Sequence, residues 1–171
     1  ACQAAGLEFV LLNTPPPNWS GGPRGFAATP GGEDRFRRDF DRSLRFAQAL
    51  RSRHLHVMAG KAEGPTALRT LVDNLKWACE RAPHASLLIE PINTRDIPGF
   101  FLTNTRQAVA LIEEVGSDNL FVQYDAYHMQ IMEGDLIRTI ENNYSFFGHY
   151  HTAGNPGRGQ PDETQEIFYP A

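Results

Sequence analysis

Glu90, Asp125 and His151 stand at the carboxyl ends of three short apolar runs, residues 86–90, 120–125 and 146–152. Read as strands, these runs follow one another about one βα unit apart. Neighbouring strands of a sheet lie roughly 4.8 Å apart. Two carboxylates and an imidazole would then converge on one divalent cation. Mixed oxygen and nitrogen donors suit Mg²⁺ or Mn²⁺, with Zn²⁺ also accommodated. Any one of the three alone is more simply a strand-end cap or a satisfied core group. Three at one register favour a site, because buried charge is costly unless paired or bound to metal.

Period-two alternation adds polar groups to the same face. Counted back from the strand ends, the sets are Glu90, Leu88 and Ser86; Asp125, Gln123 and Phe121; His151, His149 and Phe147; and Met58, His56 and His54. Strands covered on both faces normally read as continuous Val, Ile and Leu. Here one face is polar, and His56 is a candidate substrate contact on it. His128, three residues past Asp125, is either a substrate contact or an ordinary loop histidine. Arg158, in Gly154-Asn155-Pro156-Gly157-Arg158-Gly159, either grips a carboxylate or is solvated on a turn. The same choice holds for Lys61, just past a strand end. Trp19 and Phe26 read as loop anchors or as groups closing over a ligand. Cys79 falls on an apolar helix stripe and is expected in the core.

The positioning elements follow from the pattern. Five apolar runs, at 7–13, 54–59, 86–90, 120–125 and 146–152, alternate with helical stretches at 34–50, 65–81, 105–115 and 133–142. Thr105 is the expected N-cap of the third helix and Gly116 its C-terminal stop. Alternating strands and helices imply βαβ units and a parallel sheet, either doubly wound or an arc of a (β/α)₈ barrel. A long Pro/Gly stretch, residues 14–32, would sit on the carboxyl-end rim, where barrel active sites lie.

Composition narrows the function classes. The chain has 171 residues, 41% hydrophobic and 21% charged, which suits one globular domain over 1–171. Sixteen basic residues against 20 acidic ones, for a net charge of −4, argue against nucleic acid as a partner. No apolar run is long enough to span a membrane. Two cysteines make no disulfide framework, so the expected compartment is the cytoplasm. The abrupt apolar ends suggest a fragment of a longer fold, with a homo-oligomer as one way to cover exposed edges.

Three segments carry a family resemblance: Leu88-Ile89-Glu90-Pro91-Ile92-Asn93, Asp125-Ala126-Tyr127-His128-Met129-Gln130-Ile131-Met132-Glu133-Gly134, and Ala153-Gly154-Asn155-Pro156-Gly157-Arg158. Val57-Met58-Ala59-Gly60 and Asn13-Thr14-Pro15 match in order. Together they resemble the hydroxypyruvate isomerase family, within the xylose-isomerase-like barrels. The resemblance implies an incomplete (β/α)₈ TIM-type barrel of about five parallel strands with flanking helices. Those strands would be the third through the seventh, with a second catalytic glutamate on the last strand of a whole barrel. It implies isomerisation of hydroxypyruvate, a hydroxy-keto acid, to tartronate semialdehyde through a metal-stabilised enediolate, and a place in glyoxylate metabolism. Glu90 would be both metal ligand and proton carrier, and Asp125 a ligand. His151 stands where close members often have Gln, as in related ketose epimerases. The alternatives are a related ketose or oxo-acid epimerase/isomerase, and an inactive truncated barrel. A phosphodiesterase of the same superfamily would need more metal-binding side chains and a basic groove.

Overall fold

A computed structural model describes residues 3–14 and 23–170. Five strands appear: β1 (Leu11–Thr14), β2 (His54–Val57), β3 (Ser86–Ile89), β4 (Leu120–Asp125) and β5 (Phe147–His151). The helices between them are α1 (Glu33–Leu50), α2 (Gly64–Arg81), α3 (Thr105–Val115), α4 (Ala126–Met132) and α5 (Leu136–Asn143). All four pairings are parallel and the spatial order is β1-β2-β3-β4-β5. A doubly wound sheet reverses its strand order at a switch point. This order never reverses, so the sheet is an arc of a barrel, with β1 and β5 as its edges.

The two faces divide by alternation. Leu55, Val57, Leu87, Ile89, Val122 and Tyr124 face the helices and join one core with Phe36, Phe40, Leu71, Leu75 and Leu111. Trp77 of α2 packs edge-on against Phe40 at 5.5 Å, which locks α1 to α2 over β1 and β2. Cys79 is buried and unbonded, as its place on the apolar stripe of α2 requires. The other face turns its side chains into the barrel lumen.

Several boundaries moved. β1 spans only Leu11–Thr14. The residues before it still pair, since Arg53 N–H donates to Phe9 O and His54 N–H to Val10 O. The N-cap of α3 is Asn104, whose side chain accepts from Gln107 N–H at 2.8 Å. Thr105 is instead the first helical residue, and its hydroxyl donates to Glu133 at 2.7 Å. Asn has the reach to accept back from the first turn, and Thr105 is drawn off to α4. Gly116 does end α3, with φ of +65°. The expected helix over 133–142 is α5, which begins only at Leu136. The preceding α4, over Ala126–Met132, has no counterpart in the expected helices, and Gly134, with φ of +65°, parts the two. Trp19 and Cys2 lie outside the described residues.

The β4–β5 register skips one residue: Val122 pairs with Phe147, and Gln123 with His149. Phe147 therefore does not share a face with His149 and His151. It stacks on Tyr124 at 4.7 Å, on the helix side. The bulge falls at Gly148, where an added Cβ would lie 2.8 Å from Phe121 Cβ. This extra residue sets the phase that turns His149 and His151 toward the lumen.

Candidate active site

At the carboxyl-end rim a cavity of about 280 Å³ is lined by residues that include Glu90, Gln123, His151, His56, His128 and Arg158. One ligand atom each from Glu90, Asp125 and His151 falls within 4.8 Å of the others. Glu90 follows β3 directly, Asp125 ends β4, and His151 ends β5. Glu90 is 6% exposed and Asp125 1%.

The two carboxylates are held differently. Asp125 caps α4, accepting from Tyr127 N–H at 2.9 Å, and its second oxygen accepts from the Arg158 guanidinium at 3.1 Å. Glu90 has no hydrogen-bond donor among the described residues. His151 Nδ1 and His56 Nε2 each stand 3.8 Å from one of its oxygens, beyond hydrogen-bond reach. Burial alone would raise the Glu90 carboxyl. The facing His151 side chain first, then Gln123 and His128, outweigh it and hold the group at about 2, so it is ionised at neutral pH.

His56 deepens the imbalance. Its Nδ1 lies 2.9 Å from Asn13 Oδ1, which can only accept, so the ring proton sits on Nδ1. The neutral ring then turns a bare Nε2 toward Glu90. Burial lowers the His56 pKa and favours this neutral form. Among buried side-chain atoms, His56 Nε2, Glu90 Oε1 and Gln123 Oε1 have no partner. Such a cluster of unsatisfied acceptors is costly unless a cation or a donor completes it. The donor set thus fits a hard divalent cation, with Glu90, Asp125 and His151 as the residues able to hold it.

His128 is buried, with Asn93 Nδ2 at 2.7 Å from its Nδ1, so its Nε2 carries the proton and points toward Asp125 at 3.6 Å. Arg158 stands over the Tyr127 ring at 5.2 Å, with a φ of +54° that a non-glycine residue seldom adopts. Lys61 does not belong to this group. It is exposed and lies outside the cavity lining, since the chain turns at Gly60 and Lys61 bridges to Phe100 instead. Phe26 is half-buried against the core beneath Arg35, a loop anchor rather than a cavity wall.

The sequence reading missed Asn13, Arg24 and Asp96 in the lining, and Asn93 behind it. Asp96 accepts from Tyr127 Oη at 3.0 Å and from Asn93 Nδ2 at 3.1 Å. It lies in the loop after β3, where strand periodicity carries no information. Gln123 was legible as a lumen residue, one alternation below Asp125.

An open arc of parallel strands with helices on one face and an acid–imidazole cluster at its carboxyl rim defines the class: a (β/α)-barrel protein with a site of the kind that barrel enzymes carry there. A family model described as xylose isomerase-like TIM barrel matches residues 1–168, and the chain belongs to that family. It is 44% identical to the hydroxypyruvate isomerase of Escherichia coli over 95% of this chain and 65% of that protein. It is 41% identical to a 2-oxo-tetronate isomerase of Cupriavidus necator over 98% of this chain and 66% of that protein. The chain thus spans about two thirds of the length of these relatives. A crystal structure of an AP endonuclease, family 2, from Brucella melitensis superposes with a TM-score of 0.92 at 42% identity, covering 98% of this chain and 67% of that one. A D-psicose 3-epimerase from Clostridium cellulolyticum shares the fold, with a TM-score of 0.73 at 18% identity, over 92% of this chain and 57% of that one. No helix among the described residues is long and apolar enough to cross a membrane.

Proposed function

We propose that these residues form the larger part of an isomerase site for a small 2-oxo acid that carries a hydroxyl on the neighbouring carbon. The observation that carries the reading is Glu90: a buried, ionised carboxylate facing the cavity with no donor within hydrogen-bond distance among the described residues. Asp96 and Asp125 already accept from Asn93, Tyr127 and Arg158. Glu90 is therefore the carboxylate free to take a proton. The names of the E. coli and C. necator relatives point to hydroxypyruvate and 2-oxo-tetronate as the substrate class.

For hydroxypyruvate the atoms balance as follows. A Glu90 oxygen accepts a proton from the hydroxymethyl carbon, and the carbonyl oxygen takes up the electron pair as an enediolate. A proton passes between the two enediolate oxygens, and reprotonation of the former carbonyl carbon gives the aldehyde. A divalent ion held by Glu90, Asp125 and His151 supplies Lewis-acid polarisation of the carbonyl when bound; Mg²⁺ and Mn²⁺ suit the donors best. Arg158 steadies the Asp125 carboxylate, and Asn93 sets the His128 tautomer so that an N–H faces the cavity. The acid that returns the proton belongs, in the family resemblance, to the last strand of a whole barrel. A reducing cytoplasm remains part of the proposal, consistent with the free thiol of Cys79.

The test is conversion of hydroxypyruvate, with and without chelator, by the wild type and by Glu90→Gln. Turnover that survives both chelator and Glu90→Gln would reject the scheme. The second reading, an epimerase of a neutral ketose, is favoured by shared fold alone. Turnover of ketoses in preference to oxo acids would select it.

A further inference from the structure

We propose that Arg24 is the residue that selects a carboxylate-bearing substrate over a neutral sugar. The inference rests on the isomerase reading and deepens it by naming what recognises the acid. Among the described residues, Arg24 and Arg158 are the two guanidinium groups in the cavity lining. Arg158 is already engaged, with Asp125 at 3.1 Å and the Tyr127 ring at 5.2 Å. Arg24 has no ion pair and no hydrogen bond among the described residues. Its forked donors are therefore open to an incoming carboxylate, which such a fork binds through two parallel bonds.

The chain just after Arg24 is held firmly. Gly25 bridges to Ala59, and with φ of +101° it lies so close to β2's continuation that an added Cβ would collide with Met58 O. Ala28 N–H donates to Ala59 O at 2.8 Å, and Asn74 of α2 donates to Ala27 O at 2.8 Å. These contacts fix the origin of the Arg24 side chain at the cavity wall, so part of the ordering cost of binding is met beforehand.

Charge explains why such a residue is needed. Glu90 and Asp96 line the cavity and Asp125 lies at the cluster, so the wall repels an acid. A neutral ketose needs no counter-charge, whereas an oxo acid does. Lys61 is outside the lining. Among the described residues Arg24 is the cation left to meet the substrate carboxylate while Glu90 meets the carbon to be deprotonated.

The experiment compares wild type, Arg24→Gln and Arg24→Lys, all loaded with Mn²⁺. Calorimetry measures binding of tartronate, an acid, and dihydroxyacetone, a neutral ketose, and steady-state kinetics are run with hydroxypyruvate. The expected result is tartronate binding weakened roughly 10- to 100-fold in Arg24→Gln, with KM rising in parallel and kcat moving much less. Dihydroxyacetone binding stays at the wild-type level, and Arg24→Lys recovers part of the loss. Unchanged tartronate binding in Arg24→Gln would overturn the proposal, as would equal losses for the acid and the ketose. A wild type that binds tartronate through Arg24 yet does not isomerise hydroxypyruvate would sink the isomerase reading and leave the carboxylate clamp standing.

Discussion

The two faces of β2–β4 belong to the same residues' backbones and have opposite characters. Toward the helices, Leu55, Leu87, Ile89 and Val122 are no more than 1% exposed and pack into one apolar core. Toward the lumen, His56, Glu90, Gln123 and Asp125 are buried almost as deeply, yet three of their polar atoms find no partner. The first face gains stability from leaving water. The second gives some of it up and leaves acceptors unsatisfied, as sites prepared for a ligand do. The difference separates what holds the fold from what the fold presents.

The contrast breaks first at Glu90. Glu90→Gln keeps the shape and removes the base, so isomerase turnover should fall by roughly 100- to 10,000-fold while circular dichroism shows the fold retained. A loss of helical signal in step with activity would mean that Glu90 serves the structure. On the opposite face, Leu87→Ala should destabilise the chain by about 2–5 kcal/mol in urea unfolding, with activity per folded molecule kept. An effect on turnover without loss of stability would blur the division between the faces.

Ion binding sharpens the comparison further. Mn²⁺ at a hundredfold excess over its Kd should stabilise the wild type by about 2.7 kcal/mol, and His151→Ala should lose most of that gain. A thermal melt with and without Mn²⁺ reads it directly, and an identical shift in both proteins would place the ion elsewhere.

The smallest effect concerns His54, on the lumen side of β2 below the cluster, with its Nδ1 2.9 Å from Ser86 Oγ. Burial, then the Arg53 charge, lowers its pKa below the ordinary histidine value. The unfolded chain then takes up a proton before the folded one does. The contribution of His54 to stability is full above pH 6.5 and fades as pH falls from there toward the lowered folded value. Proton NMR of the ring should titrate below 6.5, and the stability gap between wild type and His54→Asn should narrow on acidification. A titration above 6.5 would show that the ring keeps its charge in the lumen.

Much of the fold was legible because local periodicity records it. Alternation in residues 86–90 and 120–125 separates lumen from core, and the helical stripe of residues 65–81 puts Cys79 inside. The three residues of the central cluster were legible because each ends a strand, and strand ends in a parallel sheet meet. Arg24 and Asp96 were not, since loops have no period and their reach depends on where the loop is pinned. Alternation alone puts Phe147 on the lumen face; one inserted residue at Gly148 shifts the phase, and only pairing with β4 reveals the insertion.

Sequence alone therefore determined the strand and helix alternation, the polar lumen face, and the types of atom able to meet a cation, because these depend on residue identity and short-range spacing. Tertiary structure decided the strand order that makes the sheet an arc of a barrel. It also decided that Asp125 is paired with Arg158 while Glu90 has no donor within reach among the described residues, and that Arg24 rather than Lys61 faces the cavity. Those outcomes depend on distances between residues far apart in the chain, which packing sets and composition does not.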